Sequence, residues 1–299
     1  MIVGTSRIEA GLDTGSVGLR VLRRAIGEND ASTTADARSM VYAVGTMLDG
    51  VGATAEVGIG APSLHGRSDL EVINRVGCTQ QRPQCPASRI DPRHFGIMGN
   101  GVADEGFPAI MGLGVAETDV ANPLIALGIK RWIVELPLPG SGSPGRLILN
   151  PSDEEMDGYV FFPHGRSQVS RAMRFGIPVC LSSRSHEQSI CGYALLDTGL
   201  FGMRLRGGES ALQWPSGMPV TLAVSPHHDA LAMQFTIGAG EQAESLVLGS
   251  EISGEPPVLF AGVLPYYAFS VLYDVENGRI GLRPRSDSPF VLAQGSPRP

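Results

Sequence analysis

A mostly β, two-lobed fold is predicted by three observations. Short β-branched runs alternate with turn residues, and the 299 residues include 39 glycines and 22 prolines, a composition that divides a chain into strands and turns. Long stretches of helical periodicity are nearly absent. The segment Leu12-Asp13-Thr14-Gly15-Ser16-Val17-Gly18-Leu19-Arg20 returns as Leu196-Asp197-Thr198-Gly199-Leu200-Phe201-Gly202-Met203-Arg204. Ordinary residue usage places Asp-Thr-Gly at roughly one in five thousand positions. Two copies with matched Gly-x-Arg flanks, one in each half, indicate a duplicated lobe that gives one carboxylate per copy to a shared site.

Residues 5–22 read as a strand, the first Asp-Thr-Gly turn and a second strand. Met40 to Gly60 reads as one long hairpin, and the polar, Cys-bounded stretch Gly77 to His94 as a surface loop. Ala109 to Gly114 is an apolar strand broken by glycines. Asn122 to Gly128 is a short helix: Asn122 caps it, Pro123 occupies its first turn and Gly128 stops it. Arg131 to Pro137 is a strand, and Gly140 to Gly145 a hairpin tip. In the second half, Tyr193 to Arg206 holds the second turn between strands. Val220 to Ala223 and Leu231 to Ile237 pair as a hairpin, and Val258 to Gly262 is again an apolar run ended by glycine. After a short segment, Leu264 to Ala268, the strand Phe269 to Asp274 meets the strand Arg279 to Arg283 through Asn277-Gly278, the strongest short hairpin signal available. Residues 285–299 form a polar, Pro-bearing tail.

The net charge of −7 argues against a nucleic-acid partner, which requires a basic surface. No apolar run approaches the length of a membrane span, and Met1-Ile2-Val3-Gly4 does not open a signal peptide. The four cysteines fall into two local pairs, Cys78 with Cys85 and Cys180 with Cys191. Neither has Cys-x-x-Cys spacing, so two short-loop disulfides fit better than zinc. That favours an oxidising compartment, periplasmic or secreted, four buried thiols in a cytosolic protein being the alternative. No metal or cofactor is expected. His227 and His228 are adjacent and on a strand would point to opposite faces. His-Glu-x-x-His, a three-glycine dinucleotide loop and Gly-x-Ser-x-Gly are missing.

In order and spacing, the residues resemble the pepsin-like aspartic peptidases, a bacterial branch of them. The resemblance rests on the two Asp-Thr-Gly turns, on Ile110-Met111-Gly112 and Phe260-Ala261-Gly262 as later apolar-apolar-Gly strands, and on a flap-like Tyr42-x-x-Gly45-Thr46-Met47 between the first turn and its partner strand. It also includes the closing stretch from Leu259 to Arg283, with Tyr266, Tyr267, Tyr273-Asp274 and Asn277-Gly278-Arg279-Ile280-Gly281. It covers roughly residues 8–284. Two positions depart from the family: Leu200 stands where Ser or Thr is usual, and Arg20 where a Trp often backs the flap tyrosine.

The resemblance implies a bilobal fold with a cleft between related lobes: residues 1–150 with the first Asp and the flap, residues 151–284 with the second Asp, and residues 285–299 as a flexible tail. It implies an aspartic endopeptidase, acting as a monomer on peptide or protein substrates, with Asp13 and Asp197 catalytic. Thr14, Gly15, Ser16, Thr198 and Gly199 would support them, and Tyr42, Gly45 and Thr46 would contact substrate. Ser16 would hydrogen-bond Asp13, whereas Leu200 leaves Asp197 without that hydroxyl. Arg20 and Arg204 are read as structural, bonding loop carbonyls. The alternative is a pepsin-like scaffold that binds peptide without cutting it.

Overall fold

A computed structural model describes all residues except 61–63, 116–119, 143, 165–175, 184–185, 208–213, 225–230, 239–244, 249–255, 289 and 291–299, and among the described residues are twenty strands, two short α-helices and three 3-10 turns. His227 and His228 lie outside the described residues. Strands account for 49% of the structure and helix for 8%, which settles the class as mostly β. Contacts divide the chain into two units, Met1–Ile129 and Lys130–Pro299.

The first unit contains β1 (Ile2–Val3), β2 (Ser6–Arg7), β3 (Ala10–Asp13), β4 (Val17–Leu22), β5 (Ser32–Val41), β6 (Thr46–Gly58), β7 (His65–Cys78) and β8 (Ala109–Leu113). They form one curled sheet in the order β2-β1-β6-β7-β4-β8-β3, with β5 paired to β6. The stretch Met40 to Gly60 is therefore not one hairpin. Strand β6 runs through most of it, pairing with β5 on one side and with β7 on the other. The turn lies at Tyr42 to Gly45, where Gly45 N donates to Tyr42 O (2.8 Å) and Tyr42 N to Thr46 O (2.9 Å). Glycine is required at this turn, since Gly45 has φ +91° and its absent Cβ would stand 2.4 Å from Arg82 Cβ. A bulge at Asp49/Gly50 bends β6 against β7.

The core of this sheet joins Leu22, Leu48, Ile73, Phe95, Ile97 and Ile110. The loop after β7 is closed by the Cys78–Cys85 disulfide. As expected, Asn122 Oδ1 caps the helix Pro123–Ala126, accepting from Leu124 N (2.9 Å) and Ile125 N (3.4 Å).

The second unit contains β9 (Arg131–Glu135), β10 (Arg146–Leu149), β11 (Val160–Pro163), β12 (Ile177–Ser183), β13 (His186–Leu195), β14 (Met203–Arg206), β15 (Pro219–Val224), β16 (Ala232–Thr236), β17 (Leu246–Leu248), β18 (Val258–Phe260), β19 (Phe269–Asp274) and β20 (Arg279–Pro284). Seven strands form a second curled sheet in the order β16-β15-β12-β13-β18-β14-β17, and five form another sheet in the order β10-β9-β19-β20-β11. Residues 131–149, grouped with the first lobe on sequence, pair here with the other end of the chain: β9 runs antiparallel to β19, and Trp132 stacks on Tyr273 (5.6 Å between centroids). Cys180 and Cys191 are directly opposed across β12 and β13 and are bonded.

Leu264–Ala268 is a short helix. Arg285, grouped with the tail, is anchored, because its Nη1 donates to Leu136 O (2.7 Å) and Tyr266 O (3.0 Å).

Candidate functional site

Each Asp-Thr-Gly turn is framed by three strands in the same way. In the first unit, β3 delivers Asp13 parallel to β8, with Asp13 opposite Gly112, and β4 leaves the turn antiparallel to β8, with Gly18 opposite the same Gly112. The outgoing flank crowds that glycine: a Cβ there would stand 2.7 Å from Val17 C and 2.8 Å from Gly18 O, both on β4. In the second unit, β13 runs parallel to β18, with Leu195 opposite Phe260, and β14 runs antiparallel to it, with Arg204 opposite Phe260. Two residues beyond this strand stands Gly262, with φ +58° and a missing Cβ that would stand 2.3 Å from Gly202 O. A side chain at either glycine would push the turn off its supporting strand. The frame extends one strand further in both units, since β7 lies parallel to β4 and β17 parallel to β14. Both framing strands are followed by a short helix, Pro123–Ala126 and Leu264–Ala268.

The turns share one hydrogen bond and differ in the next. Gly15 N donates to Asp13 Oδ1 (2.8 Å), and Gly199 N donates to Asp197 Oδ1 (2.9 Å). These are Asx-turns, but Asp13 is only 4% exposed, which sets it apart from a surface turn. Asp13 Oδ1 also accepts from Ser16 N (3.2 Å), and Asp13 Oδ2 accepts from Ser16 Oγ (2.6 Å). At the second turn Leu200 offers only its backbone, its N donating to Asp197 O (3.2 Å). Asp197 is half-buried, and Thr14 and Thr198 are both buried.

The hairpin tip differs from a flap with its tyrosine held out over a groove. The Tyr42 ring packs against the first unit's own core. The tip instead exposes Val41 and Val44, each 49% accessible. The Tyr42 hydroxyl is buried without a formed hydrogen bond. Burial pushes its pKa far above the ordinary phenol value, while Arg20, Asp13 and Glu71 are the charges acting on it. Gly45 and Thr46 are buried in the turn, and Thr79 N donates to Gly45 O (2.9 Å), tying the tip to the Cys78–Cys85 loop.

Glu71 is a residue the sequence pattern did not single out. It lies opposite Arg20 in the parallel pairing of β7 with β4, and Arg20 Nε stands 2.8 Å from Glu71 Oε2. Arg20 Nη1 also donates to Val17 O (2.9 Å), a carbonyl of its own strand β4 rather than of a loop. No local signal identifies Glu71, because its partner is supplied by strand pairing rather than by spacing.

Among the described residues no group of three or more His, Cys, Asp or Glu side chains could hold a metal ion, and no helix is long and apolar enough to cross a membrane. No protein-family model matches the chain, and no curated protein matches it.

Proposed function

We propose that the protein is an aspartic endopeptidase of pepsin-like type, with Asp13 and Asp197, one from each unit, as the two carboxylates that activate a water. One observation carries the reading: each unit builds the same frame, an Asp-Thr-Gly turn between a parallel and an antiparallel neighbour of one glycine-ended strand. Two copies of such a frame are a means of presenting two carboxylates with matched backbone support. Carboxyls within hydrogen-bond reach cannot both ionise comfortably, so such a pair holds one proton between them, as aspartic peptidases do. The ionised member takes a proton from the water. The protonated member donates to the peptide carbonyl as it becomes tetrahedral. Thr14 and Thr198, both buried beside their aspartates, would hold the turns level, and the buried Asp13–Ser16 hydrogen bond keeps that carboxylate oriented. The two disulfides suit an oxidising compartment, which we take to be periplasmic or extracellular.

Leu200 and the inward Tyr42 favour a second reading, a scaffold that holds peptide without cleaving it. Incubation with denatured casein from about pH 3 to about pH 7, with and without a statine-type inhibitor, separates the two. Pepstatin-sensitive cleavage that falls by about a thousandfold in Asp13→Asn and in Asp197→Asn supports the peptidase. Binding without cleavage supports the scaffold, and cleavage that survives either substitution overturns the two-carboxylate mechanism.

A further inference from the structure

One polar row runs across the five-stranded sheet of the second unit. Arg146 on β10 stands opposite Glu135 on β9, Glu135 accepts from Ser270 on β19, and Ser270 stands opposite Arg283 on β20. Directly opposed residues of an antiparallel ladder share a face. Two positions along, that face is ordinary core, where Ile133 and Leu272 pack with Ile148 and Phe161. The row is bonded as a chain. Ser270 Oγ donates its one proton to Glu135 Oε1 (2.7 Å) and accepts from the Tyr159 hydroxyl (2.5 Å). Arg146 Nε donates to Glu135 Oε2 (2.8 Å). Glu135, Ser270 and Tyr159 are all buried, and burying polar groups beside an apolar row carries a desolvation cost that hydrogen bonds only offset.

Four members of the row, Arg146, Glu135, Ser270 and Arg283, line a cavity of about 590 Å³, the size of a small-molecule site. Its lining holds three arginines against two carboxylates. Glu135 compensates Arg146, and Asp287 compensates Arg285. Arg283 has no carboxylate partner among the described residues: its Nη1 holds the Glu155 and Asp157 carbonyls, and its guanidinium lies over the Tyr159 ring (4.6 Å to the centroid). Arg283 Nε and Nη2, and Arg146 Nη1, close no hydrogen bond among the described residues. One carboxylate at Arg283 would balance the lining, whereas a dianion would leave a negative charge beside Glu135. The two arginines are three strand spacings apart, about 14 Å, so a ligand meets them at opposite ends.

We propose that this cavity is a binding site for a small organic monocarboxylate with a neutral hydrogen-bond acceptor at its far end, the chemistry of an N-acyl amino acid. The carboxylate pairs with Arg283, whose charge is otherwise unbalanced. The neutral acceptor takes the remaining donor of Arg146, whose charge Glu135 already meets. The lining contains neither Asp13 nor Asp197, so the site stands or falls apart from the peptidase reading.

The test is calorimetric titration of the full chain, disulfides intact, with hippurate, benzoate, hippuramide and phenyl phosphate at neutral pH and low salt. Hippurate is expected to bind one to one, several-fold tighter than benzoate, which lacks the amide acceptor, and about tenfold or more tighter than the uncharged hippuramide. Arg283→Gln is expected to weaken hippurate about tenfold or more, and Arg146→Gln by a few-fold. Ser286→Trp, which obstructs the cavity from its exposed rim and leaves the row intact, is expected to abolish binding. Arg75→Gln, on the first unit, is the control and is expected to bind as the parent does. No heat from hippurate or benzoate up to about 10 mM overturns the proposal. So do equal binding of hippuramide, tighter binding of phenyl phosphate, and parent-like affinity in Arg283→Gln. If the arginine variants do not fold, phenylglyoxal modification of the parent decides by mass spectrometry. Hippurate that slows modification at Arg283 and Arg146 several-fold and not at Arg75 supports the site, and equal rates with and without hippurate overturn it.

Discussion

Ser16 Oγ donates to Asp13 Oδ2 at 2.6 Å inside the first turn, whereas the matching position of the second turn is Leu200. The two carboxylates are therefore supported unequally. Ser16→Ala removes a donor from a buried carboxylate, a loss of about 1–3 kcal/mol in stability by the usual penalty for an unsatisfied buried group. On the proposed peptidase reading, casein cleavage is expected to drop about tenfold or more, since hydrogen bonds to charged groups are worth that factor. Leu200→Ser is expected to raise activity or leave it unchanged. Denaturant melts and casein assays of the two variants check this, and parent-like activity in Ser16→Ala would remove Ser16 from the supporting set.

The glycine-ended strands make the sharpest stability prediction. Gly112→Ala places a methyl 2.7 Å from Val17 C, and Gly262→Ala places one 2.3 Å from Gly202 O in a left-handed backbone position. Neither neighbour is a flexible side-chain end, so the turn itself must move. Each change is expected to cost about 3 kcal/mol or more, the upper range for overpacking. Gly142→Ala, whose new methyl meets nothing within 4 Å, is the control. Urea midpoints of the three proteins decide, and a near-neutral Gly112→Ala would show that the frame yields more than its geometry allows.

The hairpin tip is tied to a disulfide loop. Thr79 N donates to Gly45 O, Arg82 packs over Gly45, and Cys78 lies opposite Thr46 in the ladder. Opening Cys78–Cys85, either by a dithiol reductant or as Cys78→Ser/Cys85→Ser, is expected to destabilise the protein by about 2.5 kcal/mol on the chain-entropy account of so short a loop. The effect at the tip is expected to exceed the global one. Amide exchange at Tyr42, Gly45 and Thr79 should speed up before that of the β4 and β8 amides. Uniform acceleration across the sheet would mean the loop stabilises the unit without latching the hairpin.

Local chemistry made part of this legible in advance. Asp-Thr-Gly, the glycine-ended strands, the Asn122 cap and the Asn277-Gly278 turn are each written within a few residues, because each is a backbone requirement that particular residue types satisfy. What escaped is set by pairing over distance. Strand β5 is polar and exposed along nearly its whole length, so it carries no alternation to read. Strand β6 is buried at irregular intervals because it is bulged and shared between two neighbours, which blurs it into a single hairpin. Glu71 acquires meaning only once β7 lies beside β4. Tyr42 was recognisable as a turn residue, but the direction of its ring depends on core positions such as Phe95 and Ile110, far along the chain.

Acid should weaken the fold in two steps, and the sign follows from two groups of the second unit. Burial pushes the Asp274 carboxyl up, but hydrogen bonds from Asn277, Arg279 and Arg131 outweigh it and hold the group below the ordinary carboxylate value. A depressed carboxylate contributes stability that is complete above its unfolded pKa of about 3.9 and is lost as pH falls through the folded value. His164 is also depressed, by burial against an opposing pull from Asp274. Its neutral form is favoured in the fold, so protonation begins to favour the unfolded chain below an unfolded pKa of about 6.5. Thermal melting is therefore expected to be level above about pH 6.5, to decline below it, and to steepen below about pH 4. His164→Gln is expected to flatten the first decline and leave the second, whatever it does to the absolute melting temperature. An unchanged slope between the two thresholds would acquit His164. A peptidase working through a shared-proton carboxylate pair gains from acid while this unit loses from it, so the activity optimum is expected to lie between the two steps, on the falling flank of the stability curve rather than on its plateau.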